Sequence, residues 1–123
     1  MIATADDLAI AHNNRIPDIV FQDAPIPDAQ MPALYRAADC YVMASRGEGW
    51  GRPYMEAMAM GLPTIATNWS GQTEFMSPAN SLLIDCTVED VPERGWREIP
   101  TYRGHRWAEP SPNHLKSLMR LAF

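Results

Sequence analysis

A chain of 123 residues, 46% hydrophobic and 20% charged, has the size of one domain at most and reads as globular rather than disordered. Its net charge of −5, with nine arginines and a single lysine (Lys116), argues against a nucleic-acid surface, which is normally basic. No run approaches the roughly 18 consecutive apolar residues of a membrane span, and the N-terminus MIATADDLAIAHNN lacks the basic region of a signal peptide.

Residues 3–13 read as a helix end or short helix, with Leu8, Ile10 and Ala11 on one side. Ile16 to Phe21 is β-branched and aromatic, and reads as a short strand. Two prolines in DAPIP, residues 23–27, make a loop. Asp28 then stands at an N-cap position, and Met31, Leu34, Tyr35 and Ala38 follow at helical spacing, which predicts a helix over 29–38 packed on a sheet. The nearly continuous apolar run Cys40 to Ala44 has the character of a parallel strand covered on both faces. Cys40 and Cys86 fit neither a disulfide framework nor a metal pattern, so two reduced thiols in a cytoplasmic protein are expected.

Arg52 and Pro53 open the next helix, and Gly61 and Pro63 close it. Residues 63–67 form another strand, Asn68 to Gly71 a turn, Gln72 to Met76 at most two helical turns, and Ser81 to Asp85 the last strand. Helices between strands give the rhythm of a parallel, doubly wound α/β sheet of Rossmann-like type, with its core at 16–86 in a single domain spanning 1–123. Residues 87–110, rich in proline and alternating charge, read as an irregular surface segment. Over 111–123 a C-terminal helix is predicted, capped by Ser111 with Pro112 at its first position and striped by Leu115, Leu118, Met119 and Ala122.

The chemistry concentrates in Ala44 to Thr67, ASRGEGWGRPYMEAMAMGLPTIAT. Three glycines between Gly47 and Gly51 permit positive φ and close backbone approach. Their amides, with those of the helix start, could form an anion-binding nest. Arg46 and Arg52 flank this loop and could neutralise a phosphate. The helix over 53–60 is apolar except for Glu56, a pattern normally buried. A carboxylate there needs donors. Two readings stay open: a glutamate satisfying the dipole in the first turn, or one accepting ligand hydroxyls. Glu48 is either a solvated loop acid or a ligand contact. Asn68 to Gln72 lies at the C-terminal end of a strand, where open α/β sheets bind ligands. His12, His105 and His114 share no spacing, so neither a metal site nor a histidine triad has support.

EGWGRPYMEAMAMGLPTIAT resembles the signature of the retaining GT-B glycosyltransferases of the family 4 or group 1 type: a glutamate, seven residues, a second glutamate, then AMA-x-G-x-P. MPALYRAADCYVMAS, GQTEF and NSLLID are similar to the flanking segments of that family, and HRWAEPSPNHLKSLMR more loosely to a later helix. The resemblance covers about residues 16–86 and implies the donor-binding C-terminal domain. It implies that Glu56 holds the donor ribose and that Glu48 contacts the transferred sugar in a catalytic role. The amides of Gly49, Trp50 and Gly51, with Arg52, would line the sugar and diphosphate pocket, and the loop at Ala24 to Ile26 would lie beside the nucleobase. The donor would be a UDP- or GDP-sugar, with no cofactor and no metal, and the product a glycan or polysaccharide.

The family's opening strand, glycine turn and basic diphosphate clamp have no counterpart here, nor has its acceptor-binding N-terminal domain. The resemblance therefore implies a truncated donor domain, inactive alone, whose unpaired sheet edge favours a homo-oligomer. Two other classes remain open. One is a non-catalytic oligomerising or binding module. The other is a glycosidase using Glu48 and Glu56 as its two carboxylates. A dinucleotide-binding domain fits less well, because no G-x-G-x-x-G follows a strand.

Overall fold

A computed structural model describes residues 18–123. The predicted helix at 3–13 and the first two positions of the predicted strand at 16–21 lie outside them. The rest of that strand is not formed. Residues 18–21 have no regular structure, and Val20 and Phe21 are 87% and 84% exposed. β-propensity expresses a fit to a pleated, half-buried surface, and without a ladder partner it makes no strand.

A 3-10 turn, Asp28–Gln30, runs straight into helix α1, Met31–Arg36. Asp28 is the first residue of that turn rather than a cap; the cap position is Pro27, and no side-chain capping bond forms. The helix predicted over 29–38 is thus shorter and starts in a tighter coil. Strand β1, Tyr41–Met43, helix α2, Arg52–Ala59, strand β2, Thr64–Thr67, and strand β3, Leu82–Ile84, follow. A 3-10 turn at Gly71–Glu74 occupies the place where one or two helical turns are predicted.

The three strands form the predicted parallel sheet in the order β1-β2-β3, with Tyr41 opposite Thr64 and Ile65 opposite Leu82. Central β2 is buried at all four positions, as a strand covered on both faces must be. β1 departs from that expectation: it is an edge strand among the described residues, and Val42 is exposed. Tyr54, Ala66 and Met76 form the buried centre, ringed by Tyr41, Met43, Met58, Phe75 and Leu83.

Helix α2 ends as its sequence predicts. Gly61 takes φ 78°, its amide donates to Met58 at 3.0 Å and that of Leu62 donates to Ala57 at 3.1 Å, the two bonds of a Schellman cap. Yet α2 is not buried all round. It inserts Tyr54 and Ala57 into the core and leaves Met55 exposed, since it packs on β2 from one side only.

The segment 87–110, expected to be irregular, holds regular structure. β4, Cys86–Asp90, and β5, Arg106–Pro110, pair antiparallel, with Cys86 opposite Pro110 and Asp90 opposite Arg106. Helix α3, Glu93–Glu98, and a 3-10 turn, Pro100–Tyr102, connect them. The prolines sit where no amide is needed: Pro92 caps α3, Pro100 opens the 3-10 turn and Pro110 ends β5. The Ala108 amide bonds the Arg46 carbonyl at 3.0 Å, tying β5 to the residues after β1. Helix α4, Pro112–Ala122, packs on β2 and β3. Ser111 caps it as predicted, its hydroxyl oxygen accepting from the His114 amide.

Candidate ligand-binding site at the glycine loop

The glycine loop joins β1 to α2, and its shape is set by two backbone constraints. Gly51, the N-cap of α2, takes φ 87°, and a Cβ there would strike the Tyr54 ring at 2.5 Å. Gly71 lies against the loop from outside, so that a Cβ on it would run into the Gly49 carbonyl and the Trp50 amide. Ser70 completes the clamp. Its hydroxyl donates to the Glu48 carbonyl at 2.6 Å, and the Gly71 amide donates to the same oxygen at 3.0 Å. To hold this position Ser70 adopts φ 79° and ψ −160°, a region that costs a non-glycine residue about 1–3 kcal/mol. The turn at Asn68 to Gln72 is therefore a buttress that fixes the backbone carrying Glu48.

Beneath the loop, Tyr54 is fully buried and donates to the Met43 carbonyl at 2.8 Å, which pins α2 to the end of β1. The amides of Gly49, Trp50 and Gly51 find no acceptor among the described residues. Gly49 and Trp50 are exposed, whereas Gly51 is buried. Trp50 lies over Phe75, with ring centroids 5.4 Å apart. Its indole N–H turns towards the Met55 sulfur.

Glu56 is the fifth residue of α2, one turn too deep for the first-turn dipole role considered from sequence. It is also half-exposed rather than buried. Its carboxylate accepts from the Tyr35 hydroxyl at 3.1 Å and lies 3.7 Å from the Arg52 guanidinium. Burial, reinforced by the hydrogen bond to Glu56 and then by its charge, pushes the Tyr35 phenol up to about 12. Tyr35 therefore remains a neutral donor that orients Glu56. The helical stripe of α1 marks Tyr35 as a core residue, and only the tertiary contact reveals this second role.

Glu56 and Arg52 face a cavity of about 370 Å³ between α1 and α2, walled also by Asp28, Met31, Tyr35 and Met60. An apolar wall with a few convergent polar groups suits a small organic ligand. Glu48, Gly49, Trp50 and Gly51 do not line this cavity; they occupy the adjoining loop that ends at the cap of α2. The two acids nonetheless act on one ring: burial chiefly raises the Tyr41 phenol, and the charges of Glu48 and then Glu56 add to it.

Arg46 is not available to a phosphate. Its Nε and Nη2 atoms bond the two carboxylate oxygens of Glu109 at 2.6 and 3.0 Å, and its guanidinium stacks 4.6 Å above Trp107. Arg52 is exposed and only loosely paired, and is the flanking cation that remains. Among the described residues no group of three His, Cys, Asp or Glu side chains could hold a metal ion.

A profile of the family described as "Glycosyl transferases group 1" matches residues 4–93. The chain is 33% identical over 87 residues to the O-antigen chain mannosyltransferase B of Escherichia coli, an alignment covering 64% of this chain and 23% of that protein. It is 46% identical over 46 residues to the mannosylfructose-phosphate synthase of Agrobacterium fabrum, covering 37% and 10%. With a D-inositol 3-phosphate glycosyltransferase of Segniliparus rotundus it shares 32% over 100 residues, covering 80% and 20%. The chain thus spans less than a quarter of the length of these relatives. No solved structure shows a significant match.

Proposed function

Because the chain belongs to the group 1 glycosyl transferases, we propose that it forms the donor-binding part of a retaining enzyme that moves a sugar from a nucleotide-sugar to an acceptor. The observation that carries this reading is Glu56, held by Tyr35 and flanked by Arg52 at the edge of a ligand-sized cavity. A carboxylate fixed in this way accepts two adjacent hydroxyl protons, as a ribose offers. The free amides of Gly49, Trp50 and Gly51 and the side chain of Arg52 receive the diphosphate, and Glu48 receives hydroxyls of the transferred sugar.

In this reading the diphosphate leaves from the face the acceptor hydroxyl attacks, and its phosphate oxygen takes the hydroxyl proton. The chain's own residues stabilise charge on the leaving group and orient the sugar, so no side-chain base is required. The residues named here serve the donor side of the reaction. On its own the chain binds donor without turning it over, in the cytoplasm, and pairs with a second copy through the edge of β1.

The test is calorimetric titration of the chain with GDP-mannose and UDP-glucose. The relative named as a mannosyltransferase makes the first the donor to begin with. Charge-assisted hydrogen bonds are worth about 1.5–3 kcal/mol, so Glu56→Ala weakens binding roughly 10- to 100-fold. Glu48→Gln weakens the nucleotide-sugar but leaves free GDP or UDP unchanged. Undiminished affinity in Glu56→Ala removes the ribose role.

A further inference from the structure

The β4–β5 hairpin closes a second cavity, of about 410 Å³, which shares no lining residue with the Glu56 cavity. It lies beyond the glycine loop and is walled by Arg46, Trp69, Ser70, Tyr102, Arg106 and Trp107. Its volume falls in the range of small-molecule sites. We propose that this cavity is a binding site for a neutral hexopyranose unit of a glycan, separate from the nucleotide-sugar.

Two features select that ligand class. The first is charge balance. Arg46 is held by both oxygens of Glu109, and Arg106 reaches the Val88 carbonyl at 3.0 Å and approaches Asp90 at 3.9 Å. Each guanidinium already has a carboxylate beside it, so the cavity offers no surplus positive charge to an anion. It still offers hydrogen bonds, from guanidinium N–H groups not used in these pairs and from the Tyr102 hydroxyl, which both donates and accepts. A polyol, which both donates and accepts, matches this array.

The second feature is the pair of open rings. Trp107 is covered on one face by Arg46, but Trp69 and Tyr102 have no ring partner among the described residues and remain 38% and 42% exposed. Exposed aromatic rings beside fixed planar polar groups suit a ligand with an apolar C–H face and a polar rim. A pyranose ring is such a ligand.

The test uses the indole N–H signals of the four tryptophans in proton–nitrogen correlation spectra of the full chain. The chain is titrated with the methyl α-D-glycopyranosides of glucose, mannose and galactose to roughly 100 mM, a range suited to weak monosaccharide binding. At least one glycoside shifts the Trp69 and Trp107 signals saturably and leaves that of Trp50 in place. Trp69→Ala and Tyr102→Ala, both at partly exposed positions, each weaken this binding about 10-fold while preserving the remaining spectrum. The proposal is overturned if none of the three gives a saturable shift, or if neither variant alters it. Inorganic phosphate moving the same signals at lower concentration than any glycoside also overturns it, the cavity then being an anion site. Nucleotide-sugar binding is followed at Trp50, so failure of either proposal is read separately.

Discussion

Gly71 has less room for a side chain than any other glycine among the described residues. Any side chain there meets backbone atoms of Gly49 and Trp50, which cannot swing aside as a flexible side chain would. Gly71→Ala must therefore push the glycine loop away from its buttress, break the Ser70 bonds to Glu48, or both. Overpacking and backbone strain of this kind cost about 1–3 kcal/mol, and displacement of the 48–51 backbone removes nucleotide-sugar binding. Urea midpoints and donor titration check the two effects. Retained affinity in Gly71→Ala would show that the loop does not contribute to donor binding. From sequence, the three loop glycines and the two acids are legible as candidates, through the glycine-rich loop, the single charge in an apolar helix and the family resemblance. The parts played by Gly71, Ser70 and Tyr35 are not, because each acts on a residue about 20 positions away through a contact only the fold creates.

Elements whose signals are local came through the sequence intact: the Schellman end of α2, the Ser111 cap of α4, and the buried strand β2. Residues 18–21 failed for lack of a partner strand, and the β4–β5 hairpin was hidden because its prolines read as breakers while in fact marking its corners. One ion pair fastens that hairpin to the loop after β1, and it carries a pH prediction. The hydrogen bond from Arg46 holds the Glu109 carboxyl below its ordinary value of 4.5. Between the two pKa values the unfolded chain binds the extra proton, so the pair's contribution is complete above about 4.5. It is lost as pH falls through the lower folded value. Both side chains are about 40% exposed, so solvent screening limits the pair to about 0.5–1 kcal/mol. Glu109→Gln should cost that amount in urea denaturation at neutral pH, and the gap from wild type should close in acid below that window. A gap that persists there would assign the loss to packing on Trp107 instead.

For the whole molecule, the decisive quantity is unpaired edge rather than core. Among the described residues β1 is hydrogen-bonded on one side only, its Val42 is exposed, and the exposed run Ile19 to Phe21 supplies further β-prone apolar surface. Such an edge templates pairing with another chain. The opposing force is the net charge of −5. That repulsion is screened beyond about 8 Å at physiological salt, whereas paired strands lie about 4.8 Å apart and join through backbone groups that salt hardly weakens. Contact pairing is therefore expected to outweigh long-range repulsion, and self-association should strengthen with added salt, the reverse of an association built on ion pairs. Light scattering over a roughly tenfold concentration range should show mass rising with concentration, and more steeply in high salt. Val42→Lys, which places a charge in the edge, should shift the chain towards monomer without changing nucleotide-sugar binding. A monodisperse monomer across that range, in low and high salt alike, would mean that the edge of β1 is already covered within one chain.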